Sequence, residues 1–215
     1  MKKTLLGIAL CTGMAGVAYA DPVPYIGAQV GYSFTDLPDA DITTAAGQSY
    51  GFNKKDDDGF VGEINGGVLF PITDYFLLGP EIGIGMFGYS PKYSLNALGI
   101  NASVKYENDY YIPLVARAQF PINDDFYLFA KAGVAYVNGE TKENIQGKSF
   151  KQNQDAWKFT GSLGAGFNLT EQFSLEATYT YIDGDTSGKD IGNDFDDGDL
   201  VLQTNNIFVG VNYKF

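Results

Sequence analysis

The 215-residue chain has one cysteine, Cys11, and no histidine. A disulfide within the chain is therefore impossible, and the side chain that most often serves as a base near neutral pH is missing. Positive charge is also scarce, because 14 Lys and Arg stand against 26 Asp and Glu, for a formal net charge of −12. Such acidity argues against nucleic acid as a partner and is typical of a well-solvated surface.

The first twenty residues have the layout of an export signal. Two lysines are followed by an apolar run from Leu5 to Val17, and Ala18-Tyr19-Ala20 matches the small-x-small cleavage pattern. The apolar run is shorter than the ~20 residues that a transmembrane helix needs. We predict a cleaved signal peptide at 1–20 and a single mature domain at 21–215.

The recurrent pattern in the mature chain is an alternation of apolar with small or polar residues. It is clearest between Asn206 and Phe215, where Ile207, Val209, Val211 and Tyr213 lead to the apolar last residue. A strand turns successive side chains to opposite faces, so this pattern predicts strands with one apolar face. Each is long enough to cross a hydrocarbon core when tilted. The eight predicted strands are about 25–34, 60–70, 76–88, 110–120, 126–137, 157–169, 173–182 and 202–215.

The connections between these strands are alternately long and short. Those at 70–76, 120–126 and 167–173 each place Thr or Asn before an acidic residue, between two aromatics, which is favourable turn chemistry. The other four, 35–59, 89–109, 138–156 and 184–200, are long and polar. This alternation predicts an all-β fold: an eight-stranded antiparallel up-and-down transmembrane β-barrel with short periplasmic turns and long extracellular loops.

The two faces of the strands differ in a way that separates a membrane barrel from a soluble sandwich or lipocalin-like barrel, which would turn its apolar face inward. Charged residues share the predicted interior: Glu63, Glu81, Arg117, Lys131 and Glu176. Aliphatic residues share the opposite face: Ile64, Val68, Ile82, Ile84, Leu114, Leu128, Val134, Leu163 and Leu175. Aromatics gather at the turns, as expected for a girdle at the lipid–water boundary. We expect an integral protein of a Gram-negative outer membrane.

Three segments carry a family resemblance. Tyr25–Tyr32, the turn at Phe120–Asp125 and the closing Val209–Phe215 are similar to the eight-stranded transmembrane domain of the OmpA family, and the likeness extends over residues 23–215. It implies that the terminal aromatics, Tyr213 and Phe215, act as a signal to the barrel-assembly machinery. Family members that anchor to peptidoglycan carry a further periplasmic domain, which we do not expect here, and the size and layout also resemble OmpX-like barrels.

The interior charges form the most informative polar group. An eight-stranded barrel is filled by its own side chains, so charges inside it must be paired. The resemblance implies that a central glutamate pairs with basic residues of the fourth and fifth strands, positions held by Glu81, Arg117 and Lys131, with the other two glutamates as further partners. The basic residue of the family's first strand is Gln29 here, which would weaken a switchable gate. Either the charges neutralise one another in a plug, or the ion pairs exchange partners and the barrel opens as a gate.

We expect neither catalysis nor a cofactor. The outer-membrane barrel enzymes use histidine, which this chain lacks, and Ser162 and Ser174 have no recognisable activating partner. The acidic last loop offers a weak divalent-cation patch, with spacing that resembles a calcium loop but without its closing glutamate. Its residues are Asp183, Asp185, Asp190 and Asp194. The alternative is a solvated acidic loop.

Two functions remain open from the sequence. The first is a plugged barrel that supports the outer membrane and offers adhesin-like loops to a host or surface ligand. The second is a narrow or gated channel for small solutes. Expected partners are outer-membrane lipid, lipopolysaccharide and the barrel-assembly machinery. We expect the protein itself to be a monomer, because eight strands are enough to close a barrel. Candidate contact residues in the loops are Tyr50, Phe52, Tyr89, Tyr93, Tyr106 and Phe150.

Overall fold

The computed structural model describes residues 21–35, 41–43, 49–51, 53–55, 58–97, 100–145, 148–184, 201 and 203–215. All regular structure in these ranges is β. No helix in the described ranges has the length and apolarity to cross a membrane. The predicted signal peptide and most of the last long loop lie outside the described residues.

The strands follow one another in a simple antiparallel order. They are β1 Val23–Thr35, β2 Asp41–Thr43, β3 Ser49–Gly51, β4 Asn53–Lys55, β5 Asp58–Thr73, β6 Phe76–Phe87, β7 Lys92–Ala97, β8 Ile100–Pro121, β9 Phe126–Ile145, β10 Lys148–Asn168, β11 Phe173–Ile182 and β12 Thr204–Lys214. Eight of them form the wall, each paired with the next in the order β1, β5, β6, β8, β9, β10, β11, β12. Pairing of β1 with β12 closes the barrel, which confirms the predicted fold.

Three wall strands are much longer than predicted. β8, β9 and β10 contain 22, 20 and 21 residues, whereas about 9–11 residues cross a membrane. The prediction that 89–109 and 138–156 are long loops is therefore wrong over most of their length. The physical reason is that paired strands continue to satisfy each other's backbone groups in water, where neither face has to be apolar. β7 extends this sheet by pairing with β8.

The wall turns its apolar side outward. Burial alternates residue by residue along β11 and β12, and aliphatic side chains on the outside remain widely exposed, with Val30 at 72%, Leu163 at 66% and Val209 at 60%. An apolar belt of this kind is stable only against lipid. Of the aliphatic residues predicted to face lipid, Val68 alone is half-buried, while the rest are exposed.

The interior of the barrel, its lumen, is packed with side chains. Large rings lie over glycines of the neighbouring strand, so a Cβ atom at Gly164 would overlap the Phe129 ring, and one at Gly85 would overlap the Tyr111 ring. The half of the lumen between Glu63 and the extracellular end holds an apolar cluster, which consists of Val61, Tyr111, Ala135, Val137, Ile182, Val201 and Phe208. Glycine thus provides the room that allows a narrow barrel to be filled by aromatic side chains.

The short turns are held by the side chains that the sequence singled out. Asn123 Oδ1 accepts the backbone N–H groups of Asp125 at 3.0 Å and Phe126 at 2.8 Å. Thr170 Oγ1 does the same for Phe173 at 2.9 Å. Asn168 Nδ2 then donates to the carbonyl oxygen of Asp124 at 2.8 Å, which ties two neighbouring turns together. These bonds fix the hairpin register at the periplasmic end of the barrel.

Candidate functional site

The candidate site is the group of five charged residues in the lumen: Glu63, Glu81, Arg117, Lys131 and Glu176. Each is at most 7% exposed. They come from five different wall strands, and strand alternation turns all of them inward. The barrel therefore brings together residues that lie more than a hundred positions apart in the chain.

Glu81 is the centre of this group. Its Oε1 accepts Lys131 Nζ at 2.7 Å, and its Oε2 lies 3.5 Å from Arg117 Nη1. The hydroxyl of Tyr25 donates to the same Oε2 at 2.5 Å. Two cations and a phenol thus converge on one buried carboxylate, which is the arrangement that makes a buried charge tolerable.

Arg117 joins this carboxylate to a second one. Its Nη2 donates to Glu176 Oε1 at 2.5 Å and to Gln119 Oε1 at 3.0 Å, and Nη1 reaches Glu176 Oε2 at 3.4 Å. The guanidinium carbon lies 4.3 Å from the centre of the Phe129 ring. Tyr127 donates its hydroxyl to Glu176 Oε1 at 2.6 Å. The Arg117 guanidinium group is thus bound along its edge by carboxylate oxygens and covered on one face by an aromatic ring.

Glu63 behaves differently from the other two glutamates. The sequence suggested it as a partner of the basic residues, but no basic group in the described part of the chain lies within ion-pair distance of it. It instead accepts Tyr111 OH at 2.6 Å, Gln29 Nε2 at 2.8 Å and Asn65 Nδ2 at 3.3 Å. The physical reason is competition, since Glu81 and Glu176 already occupy both cations. Gln29 therefore gives Glu63 a neutral donor.

Sequence reasoning missed the aromatic part of the site. Tyr25, Tyr127 and Phe129 each contact a charged group, but none of them was predicted as an interior residue. The signal that could have found two of them is parity, because Tyr127, Phe129 and Lys131 alternate on one strand and must share its inner face. A phenol and a ring with the same parity as a buried lysine belong to the lumen.

The terminal aromatics lie on the outside of the seam that closes the barrel. Phe215 is 74% exposed, and its ring centre lies 5.0 Å from that of Tyr213 in an edge-to-face pair. The Phe215 N–H donates to the Pro24 carbonyl oxygen at 3.0 Å. The last residue is thus fixed by its backbone, while its ring is free for contact with lipid or another protein.

The remaining predicted residues are only partly described. Asp183 Oδ1 accepts the Tyr181 hydroxyl at 2.9 Å, whereas Asp185, Asp190 and Asp194 lie outside the described residues. Over the described ranges, no group of three or more His, Cys, Asp or Glu could hold a metal ion. Tyr89, a predicted loop contact, lies 2.6 Å from the hydroxyls of Ser33 and Thr35. The other loop aromatics are outside the described side chains: Tyr50, Phe52, Tyr93, Tyr106 and Phe150.

Comparison with known proteins agrees with the barrel fold described above. Residues 4–215 match the family model described as "Outer membrane protein beta-barrel domain". The chain is 25% identical over 227 residues to outer membrane protein A of Shigella flexneri and 26% identical over 227 residues to that of Escherichia coli O157:H7. These alignments cover 100% of this chain but 56% and 55% of the relatives, so the chain spans just over half their length.

A solved structure shows the same fold. The outer membrane protein OprG from Pseudomonas aeruginosa superimposes with a TM-score of 0.57 at 17% sequence identity. The match covers 93% of this chain and 98% of that one.

Proposed function

Because the chain belongs to the outer membrane protein β-barrel domain family and is an integral outer-membrane protein, we propose that it works as a plugged barrel. In this role the wall supports the membrane, and the extracellular part is presented to surface ligands. The proposal assigns no catalytic activity, in keeping with the absence of histidine from the chain.

The observation that carries the proposal is the filling of the lumen. Arg117 is 2% exposed and bridges Glu81 and Glu176, while Phe129 covers its face. On the extracellular side of these charges, the apolar cluster that includes Tyr111 is buried inside the barrel. To cross the barrel, an ion would have to break the buried ion pairs and then pass through the apolar cluster, and both steps cost free energy. This supports a closed barrel as the resting state.

The extracellular part of the sheet supports the second half of the proposal. β8, β9 and β10 are about twice as long as a membrane crossing requires, so close to half of each strand stands above the lipid. β7 pairs with β8 there, and β4 pairs with β7. The result is a paired sheet that can present a surface to lipopolysaccharide, a host cell or another ligand.

A gated channel is the second candidate, and one specific observation favours it. Arg117 contacts two carboxylates at once, Glu176 at 2.5 Å and Glu81 at 3.5 Å, while Lys131 holds Glu81 as well. Arg117 could therefore move fully to Glu176, and Lys131 would then neutralise Glu81 alone. In this alternative such an exchange would open the ionic layer.

The proposed function is tested by separating the wall from its extracellular sheet. In one variant, residues 93–104 are replaced by Asn-Gly, which is a favourable hairpin turn between the paired Lys92 and Lys105. In a strain that lacks the protein, we expect this variant to restore exclusion of a hydrophobic dye as well as the unaltered protein does. Adherence to cultured epithelial monolayers should fall to the level of the strain without the protein. Loss of dye exclusion at equal protein abundance would contradict the division of roles.

A further inference from the structure

A continuous row of lysines crosses the extracellular part of the sheet. Its members lie on β4, β7, β8, β9 and β10, each directly opposite the next in the strand register: Lys55, Lys92, Lys105, Lys142 and Lys151. The whole chain has 14 Lys and Arg and a formal net charge of −12. More than a third of its positive residues therefore stand in this lysine row.

The lysine row lies on the face of the sheet that continues the lipid-facing surface. Lys142 has the same parity on β9 as the exposed Val134, and Lys151 has the same parity on β10 as the exposed Trp157. The register between β9 and β10 is unbroken over this length, so alternate residues keep to one face. The Lys151 side chain is 64% exposed and that of Lys142 is 34% exposed. These lysines therefore face sideways from the wall, away from the lumen.

A β-bulge in β8 brings Lys105 to this face. Nearer the membrane, the odd-numbered Tyr111 of the same strand is buried in the lumen. The register with β9 shifts between Asn108 and Tyr110. A shift of one residue exchanges the two faces of a strand, so Lys105 lies opposite Lys142 on the outside. Without the bulge, the row would be broken at β8.

Lysines that oppose one another in register destabilise a sheet. Like charges directly opposite on paired strands repel, and here each lysine has another as its neighbour. Glu140 relieves part of this repulsion at one end, because its Oε1 lies 3.1 Å from Lys151 Nζ and 3.6 Å from Lys142 Nζ. An anion with several oxygen atoms, bound along the row, would stabilise all of it.

The residues on the two sides of the lysine row differ in chemistry. Two positions further from the membrane, the paired residues are all serine or asparagine: Asn53, Ser94, Ser103, Asn144 and Ser149. Two positions nearer the membrane, Glu107 pairs with Glu140. Hydroxyl and amide groups suit the hydroxyls of a sugar, whereas paired glutamates repel a phosphate. This order fits a phosphorylated sugar chain that stands beside the barrel.

The height of the lysine row identifies the layer that it faces. Trp157 lies opposite Tyr136 in an aromatic pair with 5.5 Å between ring centres. Lys151 is further along the same strand by about 20 Å, which is about 15 Å above these rings at the usual strand tilt. Phospholipid headgroups extend only ~5–7 Å beyond the hydrocarbon. The row is therefore at the level of the core sugars of lipopolysaccharide, which carry phosphate groups next to lipid A.

We propose that the lysine row binds the phosphate groups of the inner core of neighbouring lipopolysaccharide, while the serine and asparagine positions contact its sugars. A soluble polyanion would approach from above the barrel, whereas this face is turned toward the lipopolysaccharide that surrounds the wall. The proposal names a partner for the extracellular sheet and so rests on the second half of the proposed function. It does not depend on whether the lumen is closed.

The test is calorimetric titration of the protein refolded from urea into phosphatidylcholine nanodiscs, which contain no lipopolysaccharide. The first probe is fully deacylated lipopolysaccharide, which is soluble and keeps its core sugars and phosphates. The others are the same molecule after removal of its phosphates with hydrofluoric acid, deacylated lipid A alone, and heparin. We expect saturable binding of the first probe that weakens as salt is raised, and at least about tenfold weaker binding of the second and third.

The combined variant Lys92→Gln, Lys105→Gln and Lys142→Gln removes three charges from the row. We expect it to bind the phosphorylated core at least about tenfold more weakly, as for the loss of three exposed ion pairs. Its unfolding temperature without the probe should be equal or higher, because opposed like charges have been removed. Weaker binding by a protein of undiminished stability cannot come from misfolding.

The matched control removes three lysines from the alternate positions of β4 and β10: Lys54→Gln, Lys148→Gln and Lys158→Gln. It has the same net charge as the first variant, and its affinity should stay within about twofold of the unaltered protein, since more distant charges are screened.

Four results would overturn the proposal. They are no binding of the phosphorylated core, an equal loss in both variants, equal affinity for deacylated lipid A alone, and heparin binding through the row that is tighter than core binding. The last would establish a soluble sulfated polysaccharide as the partner instead. The variant that lacks residues 93–104 tests adherence and dye exclusion separately, so failure of core binding is distinguishable from failure of the proposed function.

Discussion

Glu81→Ala is expected to lower the free energy of unfolding by about 3–5 kcal/mol, the usual cost of removing one partner from a buried ion pair. The truncation would leave Lys131 without the carboxylate now 2.7 Å from its Nζ. It would also remove one of the two carboxylates of Arg117 and the acceptor of the Tyr25 hydroxyl. These groups are almost fully buried, so water cannot replace the lost contacts without opening the lumen.

The measurement is urea unfolding in lipid vesicles, followed by the fluorescence of Trp157. This is the chain's one tryptophan, and it is 62% exposed on the outside of the wall, where its emission reports contact with lipid. Glu171→Ala is the control, because that carboxylate lies exposed in a periplasmic turn. A Glu81→Ala midpoint equal to that of the unaltered protein would remove the charged group from the account of stability.

Phe215→Ala is expected to leave most of the protein unassembled in cells while refolding into vesicles stays nearly normal. The ring is 74% exposed and makes one edge-to-face contact, with Tyr213, so its loss should cost only about 1 kcal/mol of stability. The backbone hydrogen bond from Phe215 to Pro24 is kept by alanine. A large defect in cells would therefore come from recognition by the assembly machinery rather than from stability.

Phe120→Ala provides the comparison for this experiment. Phe120 is another girdle aromatic at the end of a strand, 42% exposed and paired with Phe76 at 5.1 Å between ring centres. Heat-dependent mobility of outer-membrane protein on gels measures the assembled fraction for both variants. The assembly-signal proposal fails if the two variants assemble equally well, or if Phe215→Ala refolds as poorly in vesicles as it assembles in cells.

The membrane-spanning part of the fold could be predicted because lipid imposes one constraint on every strand. Where lipid lies outside and polar contacts lie inside, residues such as Ile207 and Val209 must alternate with Phe208 and Asn206, and this pattern is visible in the sequence. Above the membrane that constraint ends. Segments such as 100–109 contain mostly polar residues, so they were predicted as loops although they are paired as strands. The alternation of Ile100, Ala102 and Val104 with polar residues was the signal that could have indicated a strand.

The site was predictable to the extent that charge is conspicuous in an apolar wall. Glu81, Arg117 and Lys131 stand out because a barrel strand has few reasons to carry charge. Their aromatic neighbours do not stand out, because a phenylalanine such as Phe129 suits either face. The lack of a basic partner for Glu63 could not be predicted, because it depends on which carboxylates form ion pairs with Arg117 and Lys131 in the folded barrel.

The central claim, a lumen closed by its own side chains, is tested most directly by single-channel conductance of the purified protein in a planar bilayer. The account predicts a silent membrane or brief flickers, because the ionic layer around Glu81 and the apolar cluster around Tyr111 close the path in series. Steady ohmic steps would contradict it, and would mean that the charged residues line a continuous water path.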